Sequence, residues 1–286
     1  MAAAAHSKIA LVTGASSGFG LLFTVALARD GFTVVAAMRD LDRRTRLMEA
    51  AAQAGVTDRI DCHLLDVTQA AQIEETAAYI TQRYGRLDLL VNNAGFAMAG
   101  FLEDVSVDEL RRQFDTNFFG HVAVTKAFIP TMRAQRSGTI VMISSISGRT
   151  PFPGVGSYAA SKFALEGWSE SLRLELKSLG IHVVLIEPGA FETDIWTRNV
   201  TVNERTLSGA SPNKERSDRF VKNVQEDTKK AEPTPVVNTL LKIAHSKNPR
   251  ARYLVGKDAA MAVALRKLLP ASTFENMIIK MSRIDR

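Results

Sequence analysis

Two side chains with complementary acid–base character, Tyr158 and Lys162, stand four positions apart in the stretch "SYAASKFALEG", with only Ala159, Ala160 and Ser161 between them. In a helix, spacing of four puts both on one face, one turn apart. The small residues between them leave that face uncrowded. Such a pair is either a solvated helix face or a general acid–base device in which a cation tunes a phenol. Free tyrosine ionises near pH 10, and an ammonium group within about 4–6 Å lowers that by roughly 1 to 3 units. Ser145, thirteen positions before Tyr158, closes the apolar run "GTIVMISS". A hydroxyl at that strand end could converge with the phenol on one substrate oxygen. Its neighbour Ser144 would point to the opposite sheet face.

A second cluster suits a phosphate. "TGASSGFG" (13–20) follows the apolar run "KIALVT" and precedes an apolar helical pattern. Gly14, Gly18 and Gly20 relieve crowding where the backbone turns tightly, and the helix start offers free N–H groups and a positive dipole end to a diphosphate. Glycines also mark ordinary turns, so it is the strand before and the helix after that point to a dinucleotide. The second strand ends "AAMRD". Met38 occupies the place where an acid would bind ribose hydroxyls, and Arg39 follows it. Arginine pairs bidentately with phosphate, which favours NADP over NAD, although Asp40 could neutralise it.

These groups need a scaffold. Seven apolar runs read as strands: 8–13, 32–38, 59–65, 87–91, 138–145, 181–187 and 251–255. Helical patterns fall near 18–30, 41–54, 69–84, 106–135, 156–179 and 234–246. Strands apolar on both faces that alternate with helices imply βαβ units and a parallel sheet covered on both sides. An eight-stranded α/β barrel competes. About seven strands, with the glycine-rich turn after the first, favour the open doubly wound α/β sheet in one domain spanning 1–286. The polar stretch 190–235 breaks the rhythm, and a structureless loop of that length is usually functional or disordered. It reads as a substrate loop or lid, and 257–286 reads as a helical C-terminal extension.

The totals exclude several classes. Of 286 residues, 46% are hydrophobic and 23% charged, as in folded globular chains. A single cysteine, Cys62, cannot build a disulfide framework and suits a reducing compartment. No apolar run approaches the roughly 18 residues that span a bilayer, and the start "MAAAAHSK" lacks the pattern of a secretory signal, so a cytoplasmic protein is expected. The net charge of +6 invites a nucleic-acid reading. The basic residues are scattered among acids, however, and the densest basic cluster is only "TKK" at 228–230. A mixed solvated surface and no nucleic-acid partner are expected. No metal-ligand pattern stands out.

Taken in order, "TGASSGFG", "NNAG" (92–95), Asn117 in "DTNFFGH", Ser145 in "ISS", "YAASK" (158–162) and "EPGAFET" (187–193) resemble the motifs of the short-chain dehydrogenase/reductase family along essentially the whole chain. The resemblance implies a Rossmann-type fold and a catalytic tetrad of Asn117, Ser145, Tyr158 and Lys162. It implies cofactor contacts from Gly14, Ser16, Ser17, Gly18, Phe19 and Gly20, from Asp66 and Val67, from Asn92, Asn93, Ala94 and Gly95, and from Pro188, Gly189, Phe191 and Thr193, besides Tyr158 and Lys162. Asn117 could hold a water that relays protons toward Lys162; mid-helix asparagine is otherwise unfavourable. Asp66 in "LLDVT" could equally be a turn former. Many NADP-preferring members carry a basic residue where Ser17 stands, so the preference rests mainly on Arg39.

Along the sheet's carboxyl end, Phe96, Met98, Phe152, Phe191 and Trp196 form an apolar set suited, with Ser145 and Tyr158, to a hydrophobic ketone or alcohol. "IEPGAFET" and the long tail are similar to the hydroxysteroid and retinol dehydrogenase branch. In this family the helices corresponding to 114–135 and 156–179 commonly pair across subunits, so a homodimer or homotetramer is expected. The resulting expectation is an NADP-dependent carbonyl reductase or alcohol dehydrogenase. A non-catalytic NADP sensor on the same fold is the alternative, and it would have no need of Tyr158 or Lys162.

Overall fold

A computed structural model describes residues 7–196, 198–226 and 231–282, so the cluster at 228–230 and the last four residues of the C-terminal extension lie outside the described residues. The first half of the chain runs β1 (Ile9–Thr13), α1 (Gly18–Arg29), β2 (Thr33–Met38), α2 (Thr45–Gln53), β3 (Ile60–Leu64), α3 (Ala70–Tyr84), β4 (Leu89–Asn92) and β5 (Ala97–Ala99). It continues with α4 (Val107–Phe114), α5 (His121–Gln135), β6 (Gly138–Ile143), α6 (Gly156–Leu176) and β7 (Ile181–Pro188). The last part holds β8 (Val200–Val202), α7 (Glu204–Leu207), α8 (Lys214–Glu226), α9 (Thr234–His245), β9 (Arg252–Val255), α10 (Lys257–Leu268) and α11 (Ala271–Ser282).

Seven strands form one parallel sheet in the order β3-β2-β1-β4-β6-β7-β9. Side-chain alternation divides the core. Ala10 and Val12 of β1 meet Phe23 and Leu27 of α1, Leu47 of α2 and Leu240 of α9. Ile9 and Leu11 meet Ile80 of α3, Phe128 of α5 and Leu165 of α6 on the other side. A strand covered on both faces must be apolar at every position, which is why the runs were readable. Phe23 and Phe128 are wholly buried, each contributing roughly 2–3 kcal/mol of hydrophobic stabilisation.

Strand order reverses between β1 and β4, which opens a crevice beyond their carboxyl ends. Thr13 and Asn93 tie the crevice floor together. The Asn93 side-chain amide donates to the carbonyls of Thr13 (2.9 Å) and Gly14 (3.3 Å), and the Thr13 hydroxyl accepts from the Asn93 and Ala94 N–H groups (both 3.0 Å).

Two segments differ from the sequence pattern. The helix expected over 106–135 is interrupted by a π-helical segment, Asp115–Gly120, between α4 and α5. A π segment inserts an extra residue per turn and commonly marks functional positions. Here it carries Asn117. The stretch 190–235 is not structureless. It holds a 3-10 turn (Asp194–Trp196), β8 paired with β5, and helices α7 and α8. Its polar residues are buried against one another. The Asp104 carboxylate accepts from the Ser211 hydroxyl (2.6 Å) and the Asn213 amide (3.2 Å), and Glu109 accepts from the Glu204 N–H (2.8 Å). Polarity there marks internal hydrogen bonding across about a hundred residues of chain, which a local pattern does not show.

Among the described residues no helix is long and apolar enough to cross a membrane, and no cluster of three or more His, Cys, Asp or Glu is placed to hold a metal. Cys62 is half-buried, its Sγ 3.6 Å from the Met48 sulfur.

Candidate functional site

The turn between β1 and α1 is made by backbone. Gly14 (φ +67°) and Gly18 (φ +52°) adopt left-handed conformations, and a Cβ on Gly20 would stand 2.1 Å from the Gly14 carbonyl oxygen. Ser17, the residue before α1, caps no N–H with its side chain. A cradle that admits no side chain at a helix start fits a dinucleotide diphosphate. Arg39 lies exposed one residue beyond β2. Asp40 does not neutralise it: that carboxylate accepts from the Asp42 N–H (3.0 Å) and pairs with Arg43 (3.5 Å). Asp66 is a turn former, accepting from the Thr68 N–H (2.9 Å) and hydroxyl (2.8 Å), and Val67 packs against Gly120. Asn92 directs its amide to the Thr125 hydroxyl (2.8 Å) and the Met142 sulfur inside the core, away from the crevice.

Tyr158 and Lys162 occupy the first turns of α6, both buried, and Ser145 stands just beyond β6. The phenol is hydrogen-bonded with the Ser145 hydroxyl, as the strand-end placement anticipated. The Lys162 ammonium donates to the Ile143 carbonyl (2.8 Å) and lies 5.6 Å from the centre of the Tyr158 ring. Burial pushes the Tyr158 phenol up to about 12, with only the Ser145 hydrogen bond pulling it down. Burial likewise lowers Lys162 to about 7. Loss of water disfavours both charged forms.

Behind the pair, the polar face of the π segment fastens the strand β5 approach. Asn117 accepts from the Phe96 N–H (3.1 Å) and donates to the Phe96 carbonyl (2.9 Å); its amide also lies 3.5 Å from the Ser161 hydroxyl. Gln113 grips the same segment one turn earlier, through the Phe96 carbonyl (2.9 Å) and the Met98 N–H (2.9 Å). His121, one turn later, donates from Nε2 to the Ala94 carbonyl (2.7 Å). Its complete burial, with the Lys162 charge nearby, lowers its pKa to about 3. Gln113, Asn117 and His121 at four-residue spacing are the signal in the sequence for this face, and only Asn117 was read from it.

These elements border an open cleft. Of the expected residues, Ser17, Gly18, Phe19, Asn93, Gly95, Ser145, Tyr158, Lys162, Pro188, Gly189, Phe191 and Thr193 line it. Gly14, Ser16, Gly20 and Ala94 support the turn from beside it. The apolar set divides. Phe191 lines the cleft, Phe152 packs on the cluster of Ala97, Val155 and Tyr158, Met98 is buried in β5, and Phe96 is held through its backbone. The side chain of Trp196 lies outside the described residues.

Ile195 and Asn199 line the cleft without having been anticipated, and Phe220 of α8 packs beside Tyr158. Asp194 also joins the site: its carboxylate accepts from the Gly18 N–H (3.0 Å) and lies 3.4 Å from the Arg46 guanidinium, drawing the 190–200 segment onto the glycine turn. Asn199 donates to the Ser17 hydroxyl (3.3 Å) from the same segment.

With this geometry in hand, comparison places the chain among known proteins. The model of the short chain dehydrogenase family matches residues 8–203. The chain is 40% identical over 279 residues to the uncharacterized oxidoreductase YusZ of Bacillus subtilis, covering 96% of this chain and 98% of that protein. It is 42% identical over 194 residues to human retinol dehydrogenase 8, covering 67% of this chain and 61% of the other. A Streptomyces avermitilis short-chain dehydrogenase superposes with a TM-score of 0.82 at 31% identity over 99% of both chains. A Burkholderia phymatum short chain dehydrogenase/reductase in complex with NAD gives 0.77 at 28% identity, covering 91% and 93%. A metagenomic short-chain oxidoreductase in complex with NADP gives 0.68 at 25% identity, covering 87% and 96%.

Proposed function

Because the chain belongs to the short chain dehydrogenase family of oxidoreductases, we propose that it reduces a bulky apolar ketone or aldehyde to the alcohol at the expense of NADPH. The observation that carries this reading is the meeting of the Ser145 hydroxyl and the buried Tyr158 phenol, with Lys162 beneath them, in a cleft that opens from the glycine turn. A bound nicotinamide dinucleotide supplies the hydride. Gly14, Gly18 and Gly20 give its diphosphate a close backbone approach, and Arg39, exposed and in no ion pair among the described residues, supports a 2′-phosphate.

The side chains divide the remaining work. Ser145 holds the carbonyl oxygen, and Tyr158 gives that oxygen its proton. A phenol raised to about 12 is protonated throughout the neutral range, the form that reduction consumes. Lys162 is fixed beside the phenol by its hydrogen bond to the Ile143 carbonyl, and Asn117 braces the 96–98 wall. Ala97, Val155, Phe152 and Phe220 surround the phenol with apolar surface, which supports a hydrophobic substrate. The similarity to retinol dehydrogenase 8 supports the same class. Exposed Phe119 of the π segment and Phe163 of α6 support pairing of two copies along these helices.

The test is NADPH oxidation against carbonyls ranging from small aldehydes to steroid ketones, with Tyr158→Phe as control. Turnover that rises with substrate apolarity and falls by about 10³-fold in the variant, with NADPH affinity kept, is expected. Full activity in Tyr158→Phe would defeat the mechanism.

A further inference from the structure

Five charged side chains meet beneath the catalytic helix. Glu166 lies on α6 one turn beyond Lys162, and its side chain is 6% exposed. Glu187, 1% exposed, is the penultimate residue of β7, directly before Pro188. Arg149 follows Ser145 by four positions, and its Nη1 lies 3.2 Å from the Glu187 carboxylate. Arg252 of β9 joins the two carboxylates. Its Nη1 donates both to Glu187 (2.6 Å) and to Glu166, and its Nη2 lies 2.7 Å from Glu170 at the rim. From α10, Arg266 donates to the Arg149 carbonyl.

The geography of this cluster is its meaning. Arg149, Glu166 and Glu187 each belong to one of the three segments that deliver Ser145, Tyr158 with Lys162, and Pro188 to the cleft. The match to the family model ends at residue 203, whereas Arg252 and Arg266 lie beyond it. Three carboxylates share two guanidinium groups here, and the second oxygen of Glu166 has no hydrogen-bond partner among the described residues. Without Arg252, Glu166 would be a buried carboxylate facing no cation, and Glu187 would keep only Arg149. A buried charge in that state draws in water or a proton, and the segments carrying it move apart.

We propose that Arg252 is a positioning residue: from a strand outside the family's matched segment, it holds the Ser145 loop, the Tyr158–Lys162 helix and the Pro188 turn in one register. Arg252 touches neither phenol nor cleft, so it acts through Glu166 and Glu187. Displacement of reacting groups by about 1 Å costs on the order of a hundredfold in rate. Removing this arginine therefore lowers kcat while the cofactor cradle, built on the distant β1–α1 turn, is left intact. The rate effect rests on the Tyr158-centred reduction proposed above; the structural effect does not.

The experiment measures kcat, KM, NADPH affinity by fluorescence titration, and segment-resolved hydrogen exchange for Arg252→Met, Arg252→Lys and Glu170→Gln. For Arg252→Met we expect kcat to fall about 30-fold or more, with NADPH affinity, which draws on the intact glycine turn as well as on Pro188 and Lys162, falling by less than about tenfold. Exchange should rise over 144–150 and 185–189 and stay unchanged over 13–20. Lysine should restore part of kcat by returning a cation, and Glu170→Gln, at the exposed rim, should match the parent protein.

If Arg252→Met does not fold, Arg252→Lys reads the same quantities with smaller shifts. Parental kcat and exchange in the arginine variants would overturn the proposal. So would losses spread evenly over kcat, NADPH affinity and the exchange of the whole chain. If the parent protein turns over no carbonyl, the reduction reading fails, and exchange over 144–150 and 185–189 still decides the role of Arg252.

Discussion

The glycine turn and the 190–226 segment border the same cleft and are built from opposite materials. The turn is almost all backbone: left-handed glycines, a helix start that Ser17 does not cap and the Thr13–Asn93 tie. The 190–226 segment is held by side chains, through Asp194 on Gly18, Asn199 on Ser17, and the buried group of Asp104, Asn203, Ser211 and Asn213. A backbone cradle is set by which residues can adopt its conformation, so it tolerates almost no substitution and is visible in composition. A segment fastened by side chains is set by partners far apart in the chain, so each bond is separately removable.

The largest expected break is on the backbone side. In Gly20→Ala the new methyl meets the Gly14 carbonyl oxygen, an atom with no freedom to withdraw. We expect NADPH binding to weaken more than 100-fold and stability to fall by about 3 kcal/mol, read by fluorescence titration and thermal melting. Near-parental binding would show that the cradle yields.

Arg39→Ala sharpens the comparison at the edge of the same cradle. Loss of a charge-assisted phosphate contact worth about 2 kcal/mol should raise the NADPH dissociation constant about 30-fold and leave NADH unchanged. Equal effects on both cofactors would remove the basis for NADP preference.

In the 190–226 segment, Asp194→Ala removes one fastening among several. NADPH release in stopped-flow should quicken about fivefold, corresponding to about 1 kcal/mol for a half-exposed charged contact. Slower release would mean that the carboxylate competes with the diphosphate.

The smallest effect concerns His121, which grips Ala94 between the two regions. Its pKa is about 3 when folded, against about 6.5 when unfolded. Between those values the unfolded chain binds more protons, so stability falls as pH drops below 6.5, approaching 1.4 kcal/mol per unit. Glutamine keeps a donor for Ala94 and does not titrate. In urea melts, His121→Gln should therefore gain on the parent protein by about 1 kcal/mol at pH 6 and more at pH 5. Parallel pH profiles would place the acid sensitivity elsewhere.

The legibility of the site follows the same division. Ser145, Tyr158 and Lys162 were readable because each stands at a strand end or helix face whose position the apolar pattern marks, and the structure brings all three together. Asp194 and Phe220 were not, since nothing local to "FETDIW" or "SDRF" indicates a partner; Gln113 and His121 carried a signal, their four-residue spacing around Asn117, that was not read. Asn117 was found by motif, but the π segment that carries it was hidden inside a pattern that reads as uninterrupted helix.

From the order of residues alone came the seven strands, their parallel arrangement, the cradle after β1 and the types of group at the reaction centre, because burial on two faces and backbone conformation constrain residue type position by position. Burial depth and long-range pairing were decided by the folded chain. Tyr158 and Lys162 share a helix face as their spacing requires. Their ionisation depends on how much water the rest of the protein removes, and that is a property of the packed sheet, the 190–226 segment and the helix together.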